Sequence, residues 1–401
     1  ATVDPADCAM EALERADEPV RIVFWHVMSA SNAEWLEEAT ASFNGSQDEV
    51  EVVLRQQPSY EDAFTKYKAG LVSKDLPDLA QMEETVVQQM IDSRSTIPVQ
   101  ACIDAQGYPL DDYLPRALEY YAAGGVQRAL PWAISAPILF FDKGVLRRAG
   151  LDPDDPPETL DEVRDAAQAI VDSGAAEHGI ALKPVPYIYE FLLAKSGGEY
   201  VDQGNGREGR AERANLTTDT SLEIWRWWNQ MVEDGLALDT GGEPDNFDHL
   251  LALATRDAGM TIESSSAIGP VEAILASGQY PDVEPGAGPL PALRPGGGVP
   301  VGDGALWLPE ASSPEKRAAA WRFATYLIEP EQQAGLAMAG GYIPATTSAA
   351  EVPELVRHWR EKPEFRVGYD QLVAGPVDPA TVGSLVGDYQ GLRNAVRDGF
   401  V

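Results

Sequence analysis

The sequence predicts an α/β protein of two domains. Three observations carry this expectation. A length of 401 residues exceeds what one hydrophobic core usually serves. Short apolar runs alternate with amphipathic helical stretches through the N-terminal part, the pattern of a mainly parallel sheet covered on both faces. Apolar segments broken by prolines then read as passages between one unit and the other.

The first apolar run, "VRIVFWHVMS" (Val20 to Ser29), reads as a strand ending in a loop, followed by a helix with Trp35, Leu36, Ala39 and Phe43 on one face before Gly45. "VEVVLR" (Val50 to Arg55) is the next strand. Ser59 with Asp62 marks a helix start, and that helix is expected to turn Phe64, Tyr67 and Leu71 inward. "PDLAQM" (Pro77 to Met82) is a third strand. Ligands of such sheets sit beyond the carboxyl ends of the strands, which puts "HVMS" with His26, "PSY" with Tyr60 and "MEE" with Glu84 on one rim.

"ALPWAISAPILFFDK" (Ala129 to Lys143) contains Pro131 and Pro137 and reads as a crossing, too broken for a central strand. Beyond it, Thr159 and Glu162 form a capping box, and Leu160, Val163, Ala166, Ala167, Ile170 and Val171 make the buried stripe. "GIALKP" is a strand, and the helix "SLEIWRWWNQMVEDG" is expected to face inward with Leu222, Trp225 and Val232. A second crossing falls at "AGMTIESSSAIGP", and the apolar "ALWLP" after a Gly/Pro-rich stretch reads as a return. Ser313 then caps a helix with Pro314 first and Trp321, Ala324, Leu327 and Ile328 inside. These marks divide the chain into lobe 1 (1–130 plus 264–305) and lobe 2 (131–263 plus 306–401), with hinges near 129–137, 259–266 and 301–308.

Composition mainly excludes. A formal net charge of −34 repels nucleic acid and anionic membrane surfaces, and the acids are scattered as on a solvated face. No apolar run approaches the ~18 residues that span a bilayer. Two cysteines, Cys8 and Cys102, lack metal-ligand spacing; one structural disulfide in an oxidising compartment is expected, with two buried thiols as the alternative. The start "ATVDPADCAM" shows no signal peptide, which suits an exported chain read from after its leader.

Catalytic patterns are sparse. The histidines His26, His178, His249 and His358 share no i, i+4 pair, and neither a G-x-S-x-G elbow nor a Walker loop is present. Ser313 with Lys316 matches S-x-x-K without its companion K-T-G. Glu83 or Glu84 with Asp303 leaves a glycosidase-like carboxylate pair open. Loops instead carry aromatics and small hydroxyls: Tyr60, Trp132, Tyr187, Tyr189, the serines 264 to 266 and Tyr342. Rings cover the apolar faces of sugars and polyols, while hydroxyls, carboxylates and backbone N–H groups satisfy their oxygens.

With those residues stated, the chain resembles the extracytoplasmic solute-binding proteins of carbohydrate-type ABC importers, and within them the glycerol-3-phosphate and glycerophosphodiester branch. The likeness runs over nearly the whole chain and rests on "FWHVMS", "ILFFDKGVLRRAGLDPDDPPETLDE", "DAGMTIESSS", "GDGALWLPE" and "PEQQAGLAMAGGYIPAT" in that order. It implies a two-lobed periplasmic-binding-protein-like fold that closes on a ligand in an interlobe cleft, and a binding protein rather than an enzyme. It implies further a monomer without cofactor or metal, exported to the periplasm or held at the surface as a lipoprotein, whose partners are the importer's transmembrane subunits. By the same resemblance Tyr60, Glu84, Ser135, Tyr187, Ser264 and Tyr342 contact the ligand, Glu84 accepting from a glycerol-type hydroxyl pair. The glycines of "GGYIP" permit a left-handed helix exit and Pro344 stops the helix resuming, so Tyr342 is held out of the turn.

Two departures bear on the ligand. Where the family places a glycine that lends its N–H, this chain has Asp303, and where the family places an arginine on the phosphate, the count falls on Leu385. Losing that arginine removes about 1.5–3 kcal/mol, roughly 10- to 150-fold in affinity. Arg393 or Arg397 could substitute, although their helical spacing reads more simply as a solvated face. The expected ligand is therefore a neutral sugar, oligosaccharide or polyol, with a glycerophosphodiester or glycerol 3-phosphate as alternative. A secreted carbohydrate-active enzyme and an adhesin-like surface protein are the rivals of other classes.

Overall fold

The structure is a computed structural model and describes residues 3–242 and 247–400. Besides a two-stranded hairpin at Ala122–Ala123 and Val126–Gln127, two larger sheets are built from β1 (Val20–His26), β2 (Val50–Gln56), β3 (Leu79–Glu83), β4 (Thr96–Ile97), β5 (Leu130–Ser135), β6 (Pro137–Asp142), β7 (His178–Leu182), β8 (Ala237–Asp239), β9 (Ala258–Ser264), β10 (Pro285–Pro289) and β11 (Gly302–Pro309). The chain divides into a first unit of 1–134, 301–358 and 385–387 and a second of 135–300, 359–384 and 388–401.

In the first unit the sheet runs β2-β1-β3-β11-β4, with β5 also paired to β11. β1, β2 and β3 are parallel and β11 is antiparallel to β3. Ile22, Phe24, Leu79, Ala80 and Trp307 are wholly buried, and helices 30–46 and 314–326 pack on this sheet. Trp321, Ala324, Leu327 and Ile328 are buried as expected. Helix 60–73 is rotated by one position from the expectation: Ala63, Tyr67 and Gly70 are buried, whereas Leu71 is 38% exposed. A Cβ on Gly70 would lie 2.5 Å from the Asp75 carbonyl, so the chain crosses too closely there for a larger side chain. Cys8 and Cys102 are joined, both fully buried, which fastens the N-terminal segment to helix 100–106.

The second unit has sheet order β8-β7-β9-β6-β10, with β7, β8 and β9 parallel and β6 and β10 antiparallel to their neighbours. Helix 160–173 starts at the expected Thr159–Glu162 capping box and buries Leu160, Val163, Ala166, Ala167 and Ile170, leaving Val171 at the margin. The tryptophan-rich helix 219–233 turns Ser221, Ile224, Trp227, Trp228 and Met231 inward instead of Leu222, Trp225 and Val232. Trp225 stacks on Tyr189 with centroids 4.5 Å apart, a flank contact that helical period alone did not indicate.

Two expectations are corrected. The run after Ser135 is no bare crossing, because β6 pairs on both sides, with β9 and β10; Pro137 is tolerated as its first residue, where its missing N–H costs least. The lobe boundaries also differ. Residues 264–300 belong to the second unit because β10 pairs with β6, and residues 306–358 belong to the first because β11 lies against β3. The chain changes unit at 134/135 and 300/301, and again at 358/359, 384/385 and 387/388, while the supposed hinge at 259–266 is the body of β9 and the turn after it.

Candidate functional site

Each unit gathers polar side chains at one rim of its sheet. In the first unit this follows from strand direction: β1 and β3 deliver His26 and Glu83 at their carboxyl ends, Tyr60 opens the helix after β2, and antiparallel β11 brings Asp303 and Gly304 to the same end, Gly304 opposite Glu83. Ser59 accepts the Asp62 N–H at 3.1 Å and so fixes the helix start that presents Tyr60. Gln81 Nε2 donates to Tyr60 Oη at 2.8 Å, and Tyr121 Oη donates to the Asp303 carbonyl at 2.7 Å.

Burial, and next Asp303, Tyr342, Tyr121 and Glu83, push the Tyr60 phenol well above its usual range. Burial likewise raises Tyr121, helped by Glu84, Tyr120, Asp303 and Glu83. Both remain protonated donors in a neighbourhood of acids and phenols. Asp303 adopts φ +65°, the left-handed backbone that glycine takes without strain.

Tyr342 follows Gly341, whose φ of +87° ends helix 330–340. The turn is braced on both sides. Ile343 N–H donates to the Ile134 carbonyl at 2.8 Å, and Gln333 bridges by accepting from Ala345 N–H at 2.8 Å and donating to the Leu327 carbonyl at 3.0 Å. Tyr60, Glu84, Asp303 and Tyr342 thus fall in one neighbourhood of the first unit.

The other first-unit candidates are buried rather than open. Trp132 is fully buried against Phe24 and Trp35, at 5.7 and 6.5 Å, and serves the core rather than forming an open wall. His26 is 4% exposed beside Phe24, and burial lowers its pKa to about 4, so it is neutral at pH 7. Leu385 is buried.

In the second unit Ser135, Tyr187 and Ser264 converge. Ser264 Oγ donates to Ser135 Oγ at 2.8 Å and lies 2.8 Å from Ser266 Oγ, while Tyr187 Oη is 3.5 Å from Ser135 Oγ. Behind them Glu263 accepts the Ser264 N–H at 2.7 Å and is 2.7 Å from His249 Nε2. Burial pushes the Glu263 carboxyl up, but the His249 hydrogen bond, then the His249 and Lys183 charges and the Ser264 N–H, bring it below its ordinary value. The sequence offered no sign of this backing pair, since His249 and Glu263 lie on different elements.

Arg393 is neither a solvated residue nor an available anion ligand. It grips Glu190 with two hydrogen bonds, 2.9 and 2.8 Å, with the side chains only 12% and 7% exposed. Lys316 is 3.1 Å from Asp78 and so is drawn away from Ser313, which caps its helix through the backbone alone. Gln81 and Tyr121 escaped sequence reasoning. An amide within the otherwise apolar "LAQME" was the available signal for the first; nothing marked the second.

Residues 38–366 match the family model described as bacterial extracellular solute-binding protein. The chain belongs to that family. A relative named sn-glycerol-3-phosphate-binding periplasmic protein UgpB, from Rhizobium meliloti, is 29% identical over 345 residues, 84% of this chain and 78% of the relative. The Salmonella typhimurium protein of the same name is 23% identical over 386 residues, 94% and 86% of the two chains. Among solved structures, the GacH receptor of Streptomyces glaucescens, studied with acarbose, has TM-score 0.78 at 20% identity, covering 96% of this chain and 92% of that one. UgpB from Mycobacterium tuberculosis in complex with glycerophosphocholine has TM-score 0.74 at 19% identity, covering 96% and 98%. These structures share the fold. Membership places the chain outside the cytoplasm, in keeping with its disulfide, and among the described residues no helix is long and apolar enough to cross a membrane.

Proposed function

We propose that this chain captures a neutral polyhydroxylated solute, a sugar, oligosaccharide or polyol, for an ABC importer, and performs no chemistry on it. The observation that supports the ligand class most is the first-unit rim. Its phenols Tyr60 and Tyr342 stand among Glu83, Glu84 and Asp303, with Tyr121 fully buried and donating to the Asp303 carbonyl, so donors and acceptors are grouped where the local charge opposes an anion. Within the second unit, Ser135, Tyr187 and Ser264 form a hydroxyl cluster of the same chemistry. The occupation of Arg393 by Glu190, and Leu385 at the expected arginine position, weaken a phosphate ligand. The names of the relatives favour the alternative, glycerol 3-phosphate or a glycerophosphodiester.

Calorimetric titration separates the two readings. Maltose, maltotriose, acarbose and glycerol would be compared with glycerol 3-phosphate and glycerophosphocholine, on wild type, Y60F and E84Q. The neutral compounds are expected to include the tightest binder. Y60F should weaken it about 2- to 13-fold and E84Q about 10- to 150-fold, the value of a neutral and of a charged hydrogen bond. Micromolar binding of the phosphate esters alone would reverse the ligand choice. Hydrolysis of a glycoside that disappears in E84Q would instead establish the enzyme reading.

A further inference from the structure

Gln81 sits in β3 with no solvent exposure, an amide in an apolar strand, and its two polar atoms face different neighbours. Oε1 accepts the Val27 N–H at 3.0 Å, and since a backbone N–H can only donate, the amide orientation is set. Nε2 is therefore the atom that meets Tyr60, as donor, at 2.8 Å. The opposite strand makes room for this pair. A Cβ on Gly304 would stand 2.7 Å from Gln81 Nε2 and 2.8 Å from Tyr60 Oη, closer than real Cβ atoms approach.

The consequence concerns one proton. A phenol that accepts from Gln81 cannot donate back along the same line, so its O–H must turn toward another acceptor. Tyr60 keeps that proton, because burial and the surrounding acids oppose its loss.

We propose that Gln81 is a positioning residue that sets Tyr60 as an obligate hydrogen-bond donor, so that the solute group received there is an acceptor oxygen. This rests on Tyr60 being a solute contact, as argued above. With carboxylates beside the same phenol, a hydroxyl suits the place best: it can accept from Tyr60 and donate to an acid. A phosphate dianion accepts only, and it would meet those acids with like charge.

The test begins without ligand. Full-length protein carrying [ζ-13C]tyrosine gives a Tyr60 resonance identified by its loss in Y60F. Q81E keeps the outline and the acceptor for Val27 but turns the donor into an acceptor, and Q81L removes both. In either variant the Tyr60 resonance should move, while that of Tyr67, which bonds Ser95, stays in place. An unmoved Tyr60 resonance overturns the proposal, as does a uniform shift of all tyrosines, which would mean general disruption. Should burying a carboxylate prevent Q81E from folding, Q81L carries the measurement.

Calorimetry with maltose and with glycerophosphocholine adds the second arm. For whichever probe binds wild type, Q81E should weaken binding at least about tenfold, and should have little further effect in a Y60F background. Equal losses in both backgrounds overturn the proposal. If neither probe binds wild type, the solute reading suffers while the Gln81–Tyr60 coupling is still decided by the resonance.

Discussion

Removing the Arg393 side chain is the sharpest test of what the second unit does with its cations. Glu190 is 7% exposed and receives both guanidinium contacts, at 2.9 and 2.8 Å, so Arg393→Ala strands a buried carboxylate. Breaking a buried pair from one side costs about 3–5 kcal/mol. At about 2–4 °C per kcal/mol for a unit of this size, the melting midpoint should fall by about 6–20 °C. E190Q/R393M, which removes both charges, should recover most of that loss, because the penalty comes from the uncompensated carboxylate rather than from the missing attraction. The assay is urea and thermal unfolding followed by tryptophan fluorescence, with calorimetry against glycerol 3-phosphate in parallel. An R393A protein within about 0.5 kcal/mol of wild type, or one that keeps its stability yet loses the phosphate ester, would refute the structural role and return Arg393 to the ligand.

Other consequences follow from single features. Replacing Cys8 and Cys102 by serine opens a loop with a separation of 94 residues and should cost about 2–5 kcal/mol by urea unfolding, near the ~4.7 kcal/mol chain-entropy value for a loop of that length. His26, with its pKa lowered by burial from 6.5 to about 4, lets the unfolded chain take up a proton that the folded chain refuses. Stability from this source is complete above pH 6.5 and is lost as pH falls toward 4, by about 3 kcal/mol, so H26Q should flatten the pH profile of unfolding across that window. Asp303→Gly keeps a backbone at φ +65° without strain and should hold stability within about 1 kcal/mol. By removing an acid near Tyr60 it should improve binding of glycerophosphocholine relative to maltose by up to about tenfold, measured by calorimetry.

Local signals are legible in the sequence where the chemistry is local. The Thr159–Glu162 capping box, the Ser59 cap, the strands around Val20 and Val50 and the glycine exit before Tyr342 each depend on residues within a few positions of one another. The candidate residues of the first-unit rim were legible for a related reason: in a parallel sheet, strand direction alone places His26, Tyr60 and Glu84 at one end. Faces of helices were less secure. The buried faces of helices 60–73 and 219–233 are each rotated by one position from the expected ones, because neighbouring positions of a helix carry apolar residues that periodicity alone ranks alike.

The sequence by itself determined the class of element, its caps and breaks, the acidic charge and the polar-aromatic inventory, because these follow from propensity, turn chemistry and composition. Only the tertiary structure decided partnerships across long separations. It put Trp132 in the core, tied Arg393 to Glu190, backed Ser264 with Glu263 and His249, and used Gln81 to aim Tyr60. It also assigned residues 264–300 and 306–358 to units opposite to those expected, since strand pairing, a contact between distant segments, overrode the order of crossings along the chain. A buried polar group must find its partner wherever the fold brings one, and that location is a property of the packed chain.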